Sequence, residues 1–469
     1  MQPASLRDRD TTKAPLSNAP ELARRLGPFD ATMIVMGGII GSGIFINPYV
    51  VARLVHTPAL VLGAWAAGGL IALAGAFIWA ELAALRPKVG GQYAYMREAF
   101  HPSIAFIYGW TLLLVTQTGG MAAVAVTFAK YFSALTRAPF YDWMTASVAL
   151  GLLTLINCLG VRAGSSVQNV LMVVKILAIV ALVACGLLLI GGGWSSEGPA
   201  VAGREAWHRP AAPEGGWRLF TSFGATMVPV LFAYGGWQTA NFVAGEVRNP
   251  RRNLPLGLMI GVVGVIVLYL AVNIVYVWVL GVDGLAAIET PASEVMRLAV
   301  GERGKTLIAI GIAVSTLGFL SQSMLTAPRV YFAMAGDGLF FKSVARLDPR
   351  TRVPVVAIAL QGALAIVIAL SGTYAEILSY VVAVDSIFFA VTAAALLVFH
   401  RRAGVHGTAS NASQLVSWSK RVMIVLFIVV ESFVAVNTAY NHPVNSAIGL
   451  GILVSGIPVY FYWRARLNQ

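Results

Sequence analysis

The chain has 469 residues, of which 58% are hydrophobic and only 11% charged. So little charge cannot cover a soluble protein of this length, so the chain belongs in a membrane. A formal charge of +13 would point to nucleic acid in a soluble protein; here it reads as the lysine and arginine excess of cytoplasmic loops, with no nucleic-acid partner.

Residues 1–27 are polar and charged, without the short apolar core or cleavage pattern of a signal peptide, and read as a disordered cytoplasmic tail. Beyond them, a hydrocarbon core about 30 Å thick asks for roughly 20 apolar residues per helix. That rule predicts twelve spans, at about 29–55, 59–85, 102–135, 143–161, 164–192, 219–246, 254–281, 304–334, 353–371, 373–399, 420–440 and 444–463. Proline and glycine punctuate the gaps, as in LRPKVGG (85–91), RNPRRNLP (248–255) and LDPRTRVP (347–354). The stretch KVGGQYAYMREAFHP (88–102) is amphipathic and aromatic and reads as an interfacial or re-entrant helix. With the N-terminus inside, about two thirds of the 33 lysines and arginines fall on the cytoplasmic side, which sets both termini in the cytoplasm. Cys158 and Cys185 are too few for a disulfide framework and read as free buried thiols.

Two spans carry interruptions at matching depth. The first holds MGGIIGSGIFINP (36–48) and the sixth LFAYGGWQTA (231–240). Glycine costs about 1 kcal/mol in a helix interior relative to alanine, so such clusters need a reason. Corresponding glycine-interrupted spans in two halves point to a transporter site at the bilayer midplane. The predicted fold is therefore all-α: two five-helix halves (28–192 and 219–400) in an inverted repeat of the bacterial leucine transporter kind. An extracellular loop (193–218) joins them, two extra helices follow (401–463), and a cytoplasmic tail (464–469) closes the chain. Amides freed around Gly41, Ser42 and Gly43 suit a carboxylate. Carbonyls of Phe232, Ala233 and Tyr234 suit an ammonium group, so the pair would receive an amino acid. The competing reading is that these glycines only allow close helix packing. That reading is preferred for AGGLIALAGA (67–76) in span two.

GGIIGSGIF, FAYGGW followed by GEVRNPRRNLP, and AGDGLFFKSVARLDPRTRVP (335–354) together resemble the amino acid–polyamine–organocation superfamily, in its L-amino acid transporter branch. The resemblance runs over nearly the whole chain. It implies substrate binding by Ile39, Ser42 and Gly43 in span one and by Phe232, Ala233 and Gly235 in span six; Ile40, Gly41 and Tyr234, within the two breaks, complete the candidate site. Phe232 would also be an aromatic gate. Some members join a glycoprotein through a cysteine after span three. The corresponding TRAPFYDW (136–143) has none, so no disulfide-linked heavy subunit is expected and the chain resembles a stand-alone bacterial carrier of the inner membrane.

Ionisable residues within spans are functional candidates by default. Lys175 lies deep in span five; the resemblance places it where sodium-driven relatives hold an ion, bridging the first break to span eight through Ser315 or Thr316. It would carry a coupled proton or act as a fixed charge, against the alternative of a lysine that only holds helix-end carbonyls. Asp385, in AVDSIFFA (383–390), would serve gating or proton transfer, or form a satisfied buried pair. Glu246 before Arg248 reads as a cytoplasmic ion-pair gate or a solvated helix-end pair. Glu431 reads as peripheral, neutral or paired at an interface. Trp237 and Gln238 would shape the side-chain pocket.

No histidine pattern suits a metal, no nucleophile and base can be read along the chain, and no cofactor is expected. An enzyme is thus disfavoured, and a channel lacks filter loops or rings of like charge. The expected activity is secondary transport of L-amino acids by alternating access, as exchanger or proton symporter. No acidic side chain flanks either break except Asp30 and Glu246 at the outer margins. Neutral substrates are therefore favoured, with cationic amino acids or polyamines as the alternative.

Overall fold

The computed structural model describes residues 22, 24–136, 140–191, 216–370, 374–404 and 411–467. The tail read over 1–27 falls outside them up to residue 21 and at 23, the loop read over 193–218 up to residue 215, and the C-terminal tail at 468–469. Among the described residues the regular elements are all helices, with one isolated β-bridge between Leu26 and Val247. The chain runs through α1 (Pro28–Ile39), α2 (Gly43–Val55), α3 (Pro58–Leu85), α4 (Gln92–Ala99) and α5 (Pro102–Thr136). Next come α6 (Asp142–Cys158), α7 (Val161–Ile190) and α8 (Gly216–Tyr234), followed by a 3-10 segment, Trp237–Glu246. The remainder is α9 (Pro250–Ala287), α10 (Pro291–Val300), α11 (Glu302–Thr326), α12 (Pro328–Gly336), α13 (Val355–Ala369), α14 (Tyr374–Gly404), α15 (Asn411–Asn441) and α16 (Pro443–Leu467).

Local chemistry sets where these helices start. Pro28, Pro58, Pro102, Pro250, Pro291 and Pro328 each occupy the first turn, where a missing N–H costs nothing and the fixed φ suits a helix. Asp30 caps α1 by accepting the Gly27 amide at 2.8 Å and also accepts Asn169 Nδ2 at 2.8 Å. It is thereby committed to structure at the outer margin of the first break.

Ten segments are long and apolar enough to cross a membrane, so the chain is a multi-pass membrane protein. The helices α6 and α13 are apolar but only 17 and 15 residues long. At 1.5 Å per residue they reach about 22–26 Å, short of a full hydrocarbon core without tilt or flanking residues. The apolar stretch of α5 is buried within the bundle, whereas α7, α15 and α16 turn most of theirs outward, as lipid-facing helices do. The stretch 88–102 contains α4, whose Tyr93, Tyr95 and Met96 are buried against the bundle. Arg97 pairs with Asp337 at 2.6 Å and Tyr93 donates to Asp337 at 2.9 Å, which clasps α4 to the end of α12. Burial nonetheless holds the Asp337 carboxyl above its usual range. The helix α10 has no counterpart among the predicted elements.

Two interruptions sit inside the bundle. Between α1 and α2 the chain leaves helical geometry at Ile40, with φ −77° and ψ 94°. Between α8 and the 3-10 segment Gly236 has φ +105°, a conformation open to glycine and strained for other residues. The two breaks touch backbone to backbone. A Cβ on Gly38 would lie 2.5 Å from the Gly236 carbonyl oxygen, and one on Gly43 would lie 2.8 Å from Ala233 Cα. Glycine therefore serves unwinding and close approach at the same place. In span two the packing role prevails: Gly68, Gly69 and Gly75 face Val230, Ile266 and Trp237.

Gly38→Val is expected to lower the melting temperature in detergent by several degrees, since overpacking costs about 1–3 kcal/mol. Gly151→Ala, where a Cβ meets nothing within 4 Å, should leave it unchanged or raise it. Equal melting temperatures for the two variants would refute the close approach.

Candidate substrate site

The breaks open onto one cavity lined by α1, α2, α3, α5, α8, α11, α14 and α15. Its volume is about 80 Å³ counted over positions of a water centre, enough for roughly five or more waters and so for a small solute. From the first break Ile39, Gly41, Ser42 and Gly43 line it, and from the second Phe232, Tyr234 and Gly235, with Trp237 and Gln238 following. Ile40 and Ala233 do not face it. Ile40 turns its carbonyl towards α7, and Ala233 packs against Gly43.

The first amides of α2 have no partner within their own helix, as at any helix start. Ser42 caps that start without a side-chain bond, and its buried Oγ has no hydrogen-bond partner in the protein. Phe232 O accepts the Gly235 amide at 3.3 Å, and Ala233 O accepts the Tyr269 hydroxyl at 3.3 Å. Two of the three carbonyls expected to await an ammonium group are therefore already partly engaged.

What holds each break in place came mostly from helices elsewhere in the sequence. Lys175, fully buried in the middle of α7, donates from Nζ to Ile40 O. One residue on, Ser315 of α11 donates to Gly41 O at 3.3 Å. The ammonium group thus meets the carbonyl end of α1, where the helix dipole favours positive charge. Thr316 turns back to Ala313 O and Ile312 O of its own helix, so Ser315 alone of the two expected links reaches the break. Tyr269 of α9 has its hydroxyl 3.2 Å from Ile39 O as well as 3.3 Å from Ala233 O, bridging both breaks. Gln322 of α11 donates to Thr239 at 2.6 Å, and Thr239 donates to Gly236 O at 2.6 Å. Neither Tyr269 nor Gln322 has a sequence signal, because uncharged polar residues in apolar spans look like packing.

A π-helical turn, Leu112–Thr116, interrupts α5 where Leu112, Thr116, Gln117 and Gly120 line the cavity. Thr118 donates to Leu113 O within it, at 2.6 Å. Such turns commonly mark functional positions, and no residue pattern announces this one.

Asp385 faces the cavity from α14 and Glu431 from α15. The second placement corrects the reading of Glu431 as peripheral: α15 is outward-facing along much of its length but brings this residue in, 2% exposed. It also changes the charge expected around a solute, because the two acids adjoin the breaks in space while lying far from them in sequence. Glu246 lies elsewhere. It is fully buried and takes a forked ion pair from Arg329 of α12, with Nη2 at 3.0 and 3.2 Å and Nε at 3.1 Å. Its partner is not Arg248, and the pair is not solvated. The Glu246 carbonyl also accepts the Arg25 and Leu26 amides, which ties the entry segment of α1 below the second break.

An all-helical bundle with a partly polar cavity between interrupted helices has the build of a membrane permease. Residues 26–461 match the amino acid permease family, and the chain belongs to it, within the amino acid–polyamine–organocation superfamily. It is 29% identical over 412 residues to b(0,+)-type amino acid transporter 1 of Oryctolagus cuniculus, covering 84% of this chain and 80% of the relative. It is 30% identical over 404 residues to the Rattus norvegicus protein of the same name, covering 84% and 80%. It is 28% identical over 461 residues to large neutral amino acids transporter small subunit 2 of Mus musculus, covering 95% and 82%. The protein is a transporter and not an enzyme.

Tyr269→Phe is expected to cost about 1 kcal/mol, the net value of a buried hydrogen bond, and to lower the melting temperature slightly without loss of folding. An unchanged melting temperature would show that the hydroxyl does not bridge the breaks.

Proposed function

We propose that the protein is a secondary active transporter of L-amino acids working by alternating access, either as an exchanger or as a proton-coupled symporter. The observation that carries this reading is the meeting of two helix interruptions at one cavity in a member of the amino acid permease family. The α-carboxylate would lie at the start of α2, on the amides beyond Gly41 and the Ser42 hydroxyl. The ammonium group would take carbonyl oxygens of the second break, and Phe232 would close over the bound solute.

In this reading α6 and α13 complete twelve crossings, the first ten spans form the two five-helix halves, and both termini are cytoplasmic. The cell membrane involved would be a bacterial inner membrane, and no disulfide-linked heavy subunit is required. The loop 136–143 on which that last point rests has residues 137–139 outside the described part of the chain. The buried Glu246–Arg329 pair acts as the inner gate, since opening that side must separate it. Lys175 and Ser315 belong to different helices from the breaks they hold, so rocking one set of helices against the other works on these contacts. Neutral side chains suit the residues adjoining the breaks in sequence; the carboxylates of Asp385 and Glu431 favour the cationic alternative.

Purified protein in proteoliposomes should take up labelled L-amino acid. Uptake that requires preloaded amino acid and ignores a pH gradient identifies an exchanger; uptake into empty vesicles driven by an inward proton gradient identifies a symporter. Failure of folded protein to transport any amino acid under either condition would reject the proposal. Lys175→Ala should reduce transport at least about tenfold while a folded, monodisperse protein remains, since the loss of one charge-assisted hydrogen bond is worth about 1.5–3 kcal/mol. Loss of folding instead would make the lysine purely structural.

A further inference from the structure

We propose that Asp385 and Glu431 form a subsite for a cationic group at the far end of the substrate, which makes basic amino acids the preferred cargo. The proposal rests on the amino acid transport reading above and adds the substrate class.

Two carboxylates on separate helices line one cavity, Asp385 half-buried and Glu431 buried. An uncompensated acid in such surroundings is costly, and a second nearby makes it worse. Among the described residues neither has a lysine, arginine or histidine as an ion-pair partner, and Lys175 is engaged at the Ile40 carbonyl. Glu431 Oε2 is buried without a hydrogen-bond partner in the protein. An acceptor so placed calls for a donor from the solute.

The rest of the wall suits a cation. Phe389 follows Asp385 by one helical turn, so both share a face of α14. It stacks on Trp237 with ring centres 5.2 Å apart and planes 28° from parallel, and both rings line the cavity. Aromatic faces attract ammonium and guanidinium groups, and carboxylates accept their hydrogen bonds. With the breaks taking the α-amino and α-carboxyl groups, the two acids and the aromatic rings line the same cavity and are left for the far end of the substrate.

The test compares L-arginine with L-citrulline, which has nearly the same shape but carries a neutral urea in place of the guanidinium. Binding to the purified full-length protein is measured by ligand-dependent thermal stabilisation, with L-leucine as the apolar probe. The expected result is at least about tenfold tighter binding of arginine than citrulline, the least that charge-assisted hydrogen bonding should give. Asp385→Asn and Glu431→Gln should each collapse that ratio. Equal or tighter binding of citrulline to the unaltered protein would overturn the subsite, and this comparison needs no variant to fold. Binding of leucine without arginine would overturn it while leaving amino acid transport intact. Absence of binding by all three would remove both readings. Variants that abolish proton-gradient-driven leucine uptake while keeping the arginine-to-citrulline ratio would assign the pair to a proton and overturn the proposal.

Discussion

A chain that interrupts its helices inside an apolar bundle must find partners for every amide and carbonyl it releases, because no bulk water is there to take them. The rest of this architecture depends on how that requirement is met at Ile39–Gly41 and at Ala233–Gly236. Lys175, Ser315 and Tyr269 take carbonyls of the first break. Tyr269 and the Gln322–Thr239 relay take those of the second. The Ser42 hydroxyl remains without a protein partner, and Ser42 lines the cavity. In the proposed function, structural satisfaction and ligand recognition divide one short stretch of backbone between them.

That division also bears on movement. The contacts that hold the breaks come from α7, α9 and α11, which approach from different sides, so a change in their relative positions alters the breaks directly. At the other end of the 3-10 segment, Glu246 and Arg329 neutralise each other in a fully buried setting. Removing one partner of such a pair costs about 3–5 kcal/mol, while separating both towards water restores solvation to each. A buried pair of this kind is suited to a closure that either holds completely or opens to solvent.

The charges deep in the bundle fall into groups with different surroundings. Lys175 meets a helix end that carries partial negative charge, and Arg329 meets a carboxylate. Asp385 and Glu431 meet neither, and they share a cavity wall with aromatic rings. Compensated charges near the breaks and an uncompensated acidic side are the arrangement expected of a protein that completes its electrostatics with its substrate.

The membrane class, most helix boundaries and the two interrupted spans were legible along the chain, because apolar run length, proline and glycine act locally. Gly236 is an example: its positive φ and its place in a GG pair both belong to a few consecutive residues. The depth of Lys175 was legible too, since a charge in an apolar run stands out wherever it points. Tertiary structure alone decided which atoms the breaks engage. It turned Ile40 and Ala233 away from the cavity, selected Ser315 over its neighbour Thr316, and paired Glu246 with Arg329 rather than Arg248. It also brought Glu431 beside Asp385 from a helix that mostly faces lipid. Neighbours in such a bundle lie tens to hundreds of residues apart, and one helical position turns a side chain by about 100°, which reading spans along the chain does not resolve. The sequence by itself therefore determined where the helices must yield; only their packing decided what meets them there.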